Sequence, residues 1–267
     1  MKILGILNVT TDSFSDGGKY LQTPAALAHA DRLLSEGADI LDIGAASSHP
    51  DASPVLPETE IARLAAVVPA LHDLGASLSI DSFSTPVQRW ALEQGVDYLN
   101  DIHGFADPAL YPDLAAAKAK LIVMHMVQQE GIASRTDVPP EQIFDRILAF
   151  FEQRLAALTA AGIAKDRLIL DPGMGFFLGT NPETSLTVLG RLPELADAFG
   201  LPLLVSVSRK SFLKALIRED GDRGSGDASL AAEMFAVRQG ASYIRTHAPL
   251  ALREGLKVLE ELEPDRQ

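Results

Sequence analysis

The sequence predicts an α/β protein built as a single (β/α)₈ barrel, and three observations support this prediction. Eight short apolar runs recur along the chain, amphipathic stretches of helical length separate them, and polar residues follow almost every run. The runs cover residues 3–7, 40–43, 77–80, 98–99, 121–124, 168–170, 203–207 and 243–244. They show no polar alternation, which is typical of parallel strands buried on both faces. Such a barrel needs about 250 residues, so we expect one domain over residues 1–267.

The stretches between the runs predict helices that are bounded by turn-forming residues. They cover residues 24–36, 57–74, 86–94, 108–118, 139–161, 183–199, 210–218, 229–239 and 250–262. Thr23 and Thr85 precede prolines as N-cap residues, and glycines such as Gly37 and Gly162 end helices. An open doubly wound sheet is the alternative architecture. Eight repeats, and no GxGxxG turn after the first run, favour the barrel.

Composition excludes several classes of function. The formal net charge of −13 argues against nucleic acid as a partner. The absence of cysteine excludes disulfides, thiolate nucleophiles and cysteine-ligated zinc. No uninterrupted apolar stretch reaches the roughly 18 residues that a membrane span needs, and the N-terminus lacks a full signal peptide. We therefore expect a soluble cytoplasmic protein with no membrane partner.

Acidic and amide side chains stand at the predicted strand ends. Asp42, Asp81 and Asp171 end three strands, and Asn8 and Asn100 end two more. An aspartate after a strand often caps the next helix, and for any one of the three this is about as favourable as a pocket role. Thr85 is the better cap near Asp81, and the segment after Asp171 is not a helix start, so these two favour the pocket. Carboxylates around one barrel mouth could pair with an amidine-like heterocycle, bind a cation through water, or stabilise a developing positive charge.

Cationic side chains follow the last two strands. Arg209, Lys210 and Ser211 follow strand seven, and Arg245 and His247 follow strand eight. Loops after these strands often bind phosphate in barrels of this class. In a chain of net charge −13, two cationic tips on neighbouring strands favour an anion site. Two long polar loops, residues 10–23 and 45–56, lie on the same predicted face. The histidines show no metal-ligand spacing, and a structural role is favoured for His125.

Eight motifs in order along nearly the whole chain resemble the dihydropteroate synthase family. They are GILNVTTDSFSDGG (5–18), DIGAASSHP (42–50), SIDSFSTP (79–86), YLNDIHGF (98–105), VMHM (123–126), LILDPGMGF (168–176), VSVSRKSFL (205–213) and IRTH (244–247). The resemblance implies condensation of a dihydropterin pyrophosphate with p-aminobenzoate, which gives dihydropteroate and pyrophosphate, with Mg²⁺ as cofactor. It also implies a homodimer.

The resemblance also implies roles for individual residues. The pterin would be held by Asp81, Asn100, Ile102, Met124, Asp171, Lys210 and Arg245, and the diphosphate by Asn8, Arg245 and His247. Asn8 would contact the metal, with Asp42 nearby. The p-aminobenzoate would contact Ser47, Ser48, His49, Pro50, Phe177, Lys210 and Ser211. Asp42, Asp81, Lys210 and Arg245 would be catalytic: Asp81 would stabilise a cationic pterin intermediate, and Arg245 and His247 would neutralise the departing diphosphate.

Three departures from the family pattern resemble its sulfonamide-insensitive Sul branch. His49 replaces the usual arginine of the second loop, Phe177 replaces a small residue, and the chain begins almost on strand one, without the usual N-terminal hairpin plug. We hypothesise that Phe177 narrows the p-aminobenzoate pocket so that a planar carboxylate fits and a bulkier sulfonyl does not. A neutral packing substitution is the alternative.

Other function classes remain open on sequence alone. A methyltransferase that passes a folate methyl group to a corrinoid protein would share the pterin barrel, but the cationic tips and the long first loop favour diphosphate chemistry. A pterin-binding protein without catalysis would be expected to lack the first loop or the diphosphate residues. A histidine-based metallohydrolase would be identified by its zinc content.

Overall fold

Eight parallel strands alternate with helices and close on themselves as a barrel. A computed structural model describes residues 1–10, 19–128, 131–133, 136–217 and 226–263, so most of the predicted first loop lies outside the described residues. The strands are β1 (Lys2–Asn8), β2 (Ile40–Gly44), β3 (Ser77–Asp81), β4 (Tyr98–Asp101), β5 (Lys120–Met124), β6 (Leu168–Asp171), β7 (Leu204–Val205) and β8 (Tyr243–Thr246). Neighbours pair in the order β6-β5-β4-β3-β2-β1-β8-β7, and a parallel bridge from Leu170 to Leu203 joins the two edges. The predicted (β/α)₈ barrel is confirmed.

Helices alternate with the strands along the chain and pack against the outside of the barrel. They are α1 (Lys19–Ser35), α2 (Pro57–Ala65), α3 (Val68–Asp73), α4 (Thr85–Glu93), α5 (Tyr111–Ala116), α6 (Pro140–Ala160), α7 (Pro182–Gly190), α8 (Leu192–Phe199), α9 (Ser211–Ile217), α10 (Gly226–Arg238) and α11 (Pro249–Leu262). Their apolar faces form one large core with the outward-facing strand residues. Among the described residues, no helix is long and apolar enough to cross a membrane.

Several predicted helix boundaries are wrong. The single helices predicted over 57–74 and 183–199 are each two helices, α2–α3 and α7–α8. The second helix of each pair carries a proline in its first turn, Pro69 or Pro193. A first-turn residue does not need to donate its amide hydrogen within the helix, whereas a residue inside one long helix does, so each proline starts a new helix. Helix α1 begins at Lys19, so Thr23 is not its N-cap. Thr85 is the first residue of α4, and its hydroxyl donates to Asp107 at 2.6 Å instead of capping the helix.

The inside of the barrel changes from apolar to polar along its axis. Its lower layer is a buried cluster of six side chains: Leu4, Ile40, Ile122, Ile169, Leu204 and Tyr243. The Tyr98 and Tyr243 rings meet in this layer with centroids 6.4 Å apart. Residues two further along each strand point to the same face, and most of these are polar. The strand pleat thus places a ring of polar side chains on top of an apolar floor.

Candidate active site

Strand register brings the polar strand ends to one level of the barrel mouth. Asn8 pairs with Gly44, Gly44 with Asp81, and Asp81 with Asn100. Asp171 pairs with Met124 on the opposite side. The carboxyl ends of parallel strands meet at one rim, which is where barrel enzymes build their active sites.

Arg245 joins two of the carboxylates across this mouth. Its Nε donates to Oδ2 of Asp42 at 2.5 Å, and its NH2 group donates to Oδ2 of Asp81 at 2.8 Å. Asp42 is fully buried, whereas the Asp81 side chain is partly exposed. Two of the Arg245 donor groups are therefore already used within the protein. This geometry agrees with the prediction that Arg245 closes one side of a pocket. Fewer Arg245 donor groups are left for a diphosphate than the sequence suggests.

A small cavity of 50 Å³ lies among these polar strand ends. Its walls are Ser48, Asp81, Asn100, Ile102, Met124, Asp171, Met174, Phe177, Ser206, Lys210 and Arg245. All seven residues predicted to hold a pterin line it. Asn100 Oδ1 is buried and has no partner within the described part of the chain, so it offers an acceptor to an entering N–H group. Asp171 Oδ1 accepts from the Gly173 amide at 2.8 Å.

Burial shifts the proton affinities of the groups around this cavity. Burial raises the pKa of Asp81 to about 7 against the opposing effect of Arg245, and the Asp42 and Glu60 carboxylates raise it further. Burial also raises the pKa of Asp171 to about 6 and lowers that of Lys210 to about 8. Perturbed groups that converge in a cleft are typical of active sites.

An open groove of 520 Å³ adjoins the cavity. It is lined by Ser47, Ser48, His49, Pro50, Ala133, Phe176, Phe177, Arg209, Lys210, Ser211 and Lys214. All seven residues predicted to contact p-aminobenzoate lie here. Ser48, Phe177 and Lys210 line both spaces, and Lys210 Nζ lies 4.7 Å from the centroid of the Phe177 ring. The three residues form a wall that a ligand in either space would touch.

The groove combines apolar surface with positive charge. Phe176 contacts the His49 ring edge-on at 5.4 Å, and His49 lies 3.7 Å from Asp51. Arg209 adopts a left-handed backbone with φ of 57°, and its amide donates to Ser229 Oγ at 2.9 Å. A non-glycine residue in that region is uncommon and frequently marks a functional site.

Two residues predicted at the diphosphate position, Asn8 and His247, line neither space. Asn8 is exposed at the end of β1. Burial lowers the pKa of His247 to about 3, and Arg209, Arg245 and Lys210 lower it further. A neutral imidazole offers an anion a hydrogen bond and not a charge, and the role of His247 at the diphosphate stays a prediction.

His125 is structural, as the sequence favoured. It is buried, its Nδ1 lies 3.1 Å from the Pro172 carbonyl, and its ring contacts Phe150 edge-on at 5.2 Å. Asp101 also has a structural role, because its carboxylate accepts hydrogen bonds from the backbone amides of His103 and Phe105 and from the side-chain amide of Gln88.

Several lining residues were absent from the sequence predictions. Ser206 and Met174 line the cavity, and Ala133, Phe176 and Lys214 line the groove. Ser206 could have been found, because it lies two residues after Leu204 and a strand repeats its facing every two residues. Ala133 carries no comparable signal, since it lies in an irregular segment.

The site thus consists of a polar cavity and a cationic groove that share one wall at the barrel mouth. This arrangement is that of an enzyme that binds two organic ligands side by side. A family model described as pterin binding enzyme matches residues 4–247. Dihydropteroate synthase type-2 of Escherichia coli is 57% identical over 262 residues, which cover 98% of this chain and 96% of that protein.

Solved structures agree with this relationship. Xanthomonas albilineans dihydropteroate synthase with 4-aminobenzoic acid has a TM-score of 0.89 and 34% identity, covering 98% of this chain and 93% of that one. The same enzyme in complex with 7,8-dihydropteroate has a TM-score of 0.84 and 33% identity, covering 98% and 93%. The chain belongs to the pterin-binding enzymes, within the dihydropteroate synthase family.

Proposed function

We propose that the protein condenses 6-hydroxymethyl-7,8-dihydropterin pyrophosphate with p-aminobenzoate to 7,8-dihydropteroate and pyrophosphate. The observation that carries the proposal is the wall of Ser48, Phe177 and Lys210 between the buried polar cavity and the open groove. A heterocycle in the cavity and an aromatic acid in the groove would meet at this wall. The family relationship supports the same reaction.

The cavity would hold the pterin. Asn100 Oδ1 and the Asp171 carboxyl offer hydrogen-bond acceptors to the N–H edge of a heterocycle. Ile102 and Met124 supply apolar surface for the two faces of a planar ring. The cavity is smaller than a pterin in this structure, so side chains such as Lys210, which is only half-buried, must move when the ligand enters.

The reaction breaks the bond between the pterin methylene carbon and the diphosphate oxygen. The methylene becomes cationic and the bonding electron pair leaves with the diphosphate. The Asp81 and Asp42 carboxylates stabilise that cation electrostatically, and Arg245 keeps both carboxylates in position. The p-aminobenzoate amine then forms the new C–N bond and releases one proton to solvent or to the diphosphate.

The groove would orient the p-aminobenzoate. Phe176, Phe177 and Pro50 supply apolar contact for its ring, and Arg209, Lys214 and the Ser211 end of α9 supply attraction for its carboxylate. Filling the groove would also exclude water, which is the competing nucleophile.

Binding of Mg²⁺ is a further part of the proposal. The protein oxygens at the site would hold this ion only together with oxygens of the substrate diphosphate. Among the described residues, no group of three or more His, Asp or Glu side chains could hold a metal. Mg²⁺ commonly keeps several waters and takes its other oxygens from substrate phosphates and one or two protein groups. Asn8 would supply the protein oxygen, and the ion would neutralise charge on the departing diphosphate.

Purified protein tests the reaction directly. Pyrophosphate release is measured with dihydropterin pyrophosphate and p-aminobenzoate, and with each substrate alone. Release that requires both substrates, with dihydropteroate as the second product, supports the proposal. Release from the pterin substrate alone would indicate a hydrolase instead. Adding MgCl₂ and pyrophosphate should raise the Tm of wild type more than that of Asn8→Ala; equal shifts would remove Asn8 from the metal.

We also propose a homodimer formed through helices on the outside of the barrel. Large apolar side chains are exposed on α7, α9 and α10, namely Leu186, Leu216, Ile217 and Phe235. Light scattering on the purified protein measures the mass. A monomer at all concentrations would contradict this proposal. The cytoplasmic location stays a prediction.

A further inference from the structure

One side chain that lines the groove belongs to a strained turn. Residues 207–210 form a β-turn in which the Lys210 amide donates to the Val207 carbonyl at 3.2 Å. Arg209 is the third residue of this turn and has a positive φ of 57°. Positive φ at the third residue is typical of a type II turn, where glycine or asparagine normally stands. An arginine there costs free energy, and strain of this kind persists where the surrounding structure holds it in place.

A buried serine of a neighbouring helix holds this turn. Ser229 Oγ, in the N-terminal part of α10, accepts from the Arg209 amide at 2.9 Å, and Ser229 is 4% exposed. The amide of the third residue has no partner within a β-turn, because the closing bond uses the amide of the fourth. The serine hydroxyl therefore satisfies a backbone donor that the turn leaves open, and it couples α10 to the strained residue.

The strained turn places positive charge at the groove. The Arg209 side chain is exposed and lines the groove together with Ser211 and Lys214. A guanidinium is a planar fork that pairs with a carboxylate through two hydrogen bonds, whereas the ammonium of Lys214 is a point charge. The direction of the fork depends on the Arg209 backbone, because a negative φ would point the side chain elsewhere. Ser229 itself lines neither the groove nor the cavity, so it would not touch a ligand in either space.

We propose that Ser229 is a positioning residue that acts on the groove through the Arg209 amide. Its hydroxyl keeps the turn in the left-handed conformation that presents the guanidinium to the carboxylate of an aromatic acid. This inference rests on the proposed function, which names that acid as p-aminobenzoate. Without the hydroxyl, the turn relaxes toward negative φ at Arg209, and the guanidinium leaves the groove. Ser229 therefore affects binding of the acid and not the step that breaks the bond to the diphosphate.

A second buried serine makes a bond of the same kind and provides a matched control. Ser185 Oγ, on α7, accepts from the Gly175 amide at 3.1 Å, and Ser185 is 1% exposed. It also lines neither the groove nor the cavity. Ser185→Ala and Ser229→Ala therefore remove the same type of bond from the segments that follow β6 and β7, and only Ser229→Ala releases the Arg209 amide.

Amide hydrogen exchange of the ligand-free protein tests whether Ser229 holds the turn. The Arg209 amide is followed by NMR of deuterated, nitrogen-15-labelled protein. It should exchange about tenfold faster in Ser229→Ala than in wild type, because its acceptor is gone. Ser229→Thr keeps a hydroxyl and should keep the protection, and Ser185→Ala should leave the Arg209 rate unchanged. Equal exchange of this amide in wild type and Ser229→Ala would overturn the proposal.

A double-mutant cycle with Arg209 tests the consequence for the acid. Ser229→Ala should raise the KM for p-aminobenzoate about fivefold, while kcat and the KM for dihydropterin pyrophosphate stay close to those of wild type. In an Arg209→Ala background the same change should have no further effect, because the group that Ser229 positions is absent. Any effect of Ser185→Ala on this KM should be the same with and without the Arg209 side chain.

Failure of this inference and failure of the proposed function give different results. A wild-type protein that releases no pyrophosphate with both substrates would reject the proposed function, and the exchange rates would still decide whether Ser229 holds the turn. An increase in the KM for p-aminobenzoate that persists in the Arg209→Ala background would overturn the positioning role, because Ser229 would then act through general packing. An increase confined to the KM for the pterin substrate would also overturn it, since it would place Arg209 at the diphosphate.

Discussion

Arg245 Nε lies 2.5 Å from Asp42 Oδ2, and this pair ties β8 to β2 through the interior of the barrel. Asp42 is fully buried and Arg245 nearly so. Removing one member of a buried pair leaves an uncompensated charge, which costs more than the pair itself contributes. The pair therefore fixes the geometry of the mouth as well as its charge.

Asp42→Ala should lower the free energy of unfolding by about 3 kcal/mol and reduce turnover more than tenfold, because Arg245 would keep only its contact with Asp81. Denaturant unfolding and pyrophosphate release measure the two effects. Asp42→Asn is the matched control, since its amide oxygen still accepts from Nε, and it should lose less stability. Equal losses in both variants would show that charge, and not the hydrogen bond, holds Arg245.

The polar strand ends could be predicted from sequence because each follows an apolar run, and the barrel then brings them together. The pairing of Arg245 with Asp42 could not be predicted, since 203 residues separate the two and only the closed barrel makes them neighbours. The lowered pKa of His247 could not be predicted either, because it depends on burial and on cations such as Arg209 and Lys210 from another strand end. The two helix breaks do have a signal in the sequence, because Pro69 and Pro193 each lie in the first turn of a second helix and a proline cannot continue a preceding helix.

Lys210→Ala should reduce turnover by well over tenfold, because this amine lines both the cavity and the groove. Steady-state pyrophosphate release measures the effect. Lys214→Ala is the control: Lys214 is an exposed lysine that lines the groove alone, and its loss should raise the KM for p-aminobenzoate with little change in kcat. Near-normal turnover of Lys210→Ala would remove this residue from its assigned role.

Phe177→Gly should increase inhibition by sulfonamides. The Phe177 ring lies on the wall between cavity and groove and is held against Lys210, so removing it widens the position where a tetrahedral sulfonyl must fit. Inhibition constants are measured for wild type, Phe177→Gly and Phe176→Ala, the last changing an aromatic that lines the groove but not the wall. Equal inhibition of wild type and Phe177→Gly would reject the steric hypothesis and leave a neutral packing substitution.

Buried His125 should make the protein less stable as the pH falls. Burial lowers its pKa from the ordinary 6.5 to about 4, so only the unfolded chain takes up the proton between these values. The stability is fully present above pH 6.5 and is lost progressively toward pH 4, by roughly 3 kcal/mol at most. The raised pKa values of Asp81 and Asp171 act in the opposite direction, so the test is a difference between proteins.

His125→Asn isolates this contribution, because the asparagine amide can still donate to the Pro172 carbonyl but does not titrate. Unfolding free energies are measured by urea denaturation at several pH values. The difference between wild type and variant should shrink or reverse as the pH falls from 6.5 to 4. A difference that stays constant with pH would show that His125 takes up its proton as readily in the folded protein as in the unfolded chain.

Gly173→Ala should be strongly destabilising, because a Cβ atom there would clash with the His125 carbonyl oxygen. That oxygen belongs to the backbone at the end of β5, so it cannot move aside without shifting the strand end that carries Met124. The residue also has a positive φ of 74°, which costs any side chain about 1 kcal/mol.

Gly162 has φ of 88° and no atom within 4 Å of its Cβ position, so Gly162→Ala measures the backbone cost alone. We expect Gly173→Ala to lose at least about 2 kcal/mol more than Gly162→Ala in urea unfolding, and to lower affinity for pterin ligands, since the shift would displace the cavity wall. Similar losses in the two variants would mean that the loop from Pro172 to Gly175 adapts without disturbing β5.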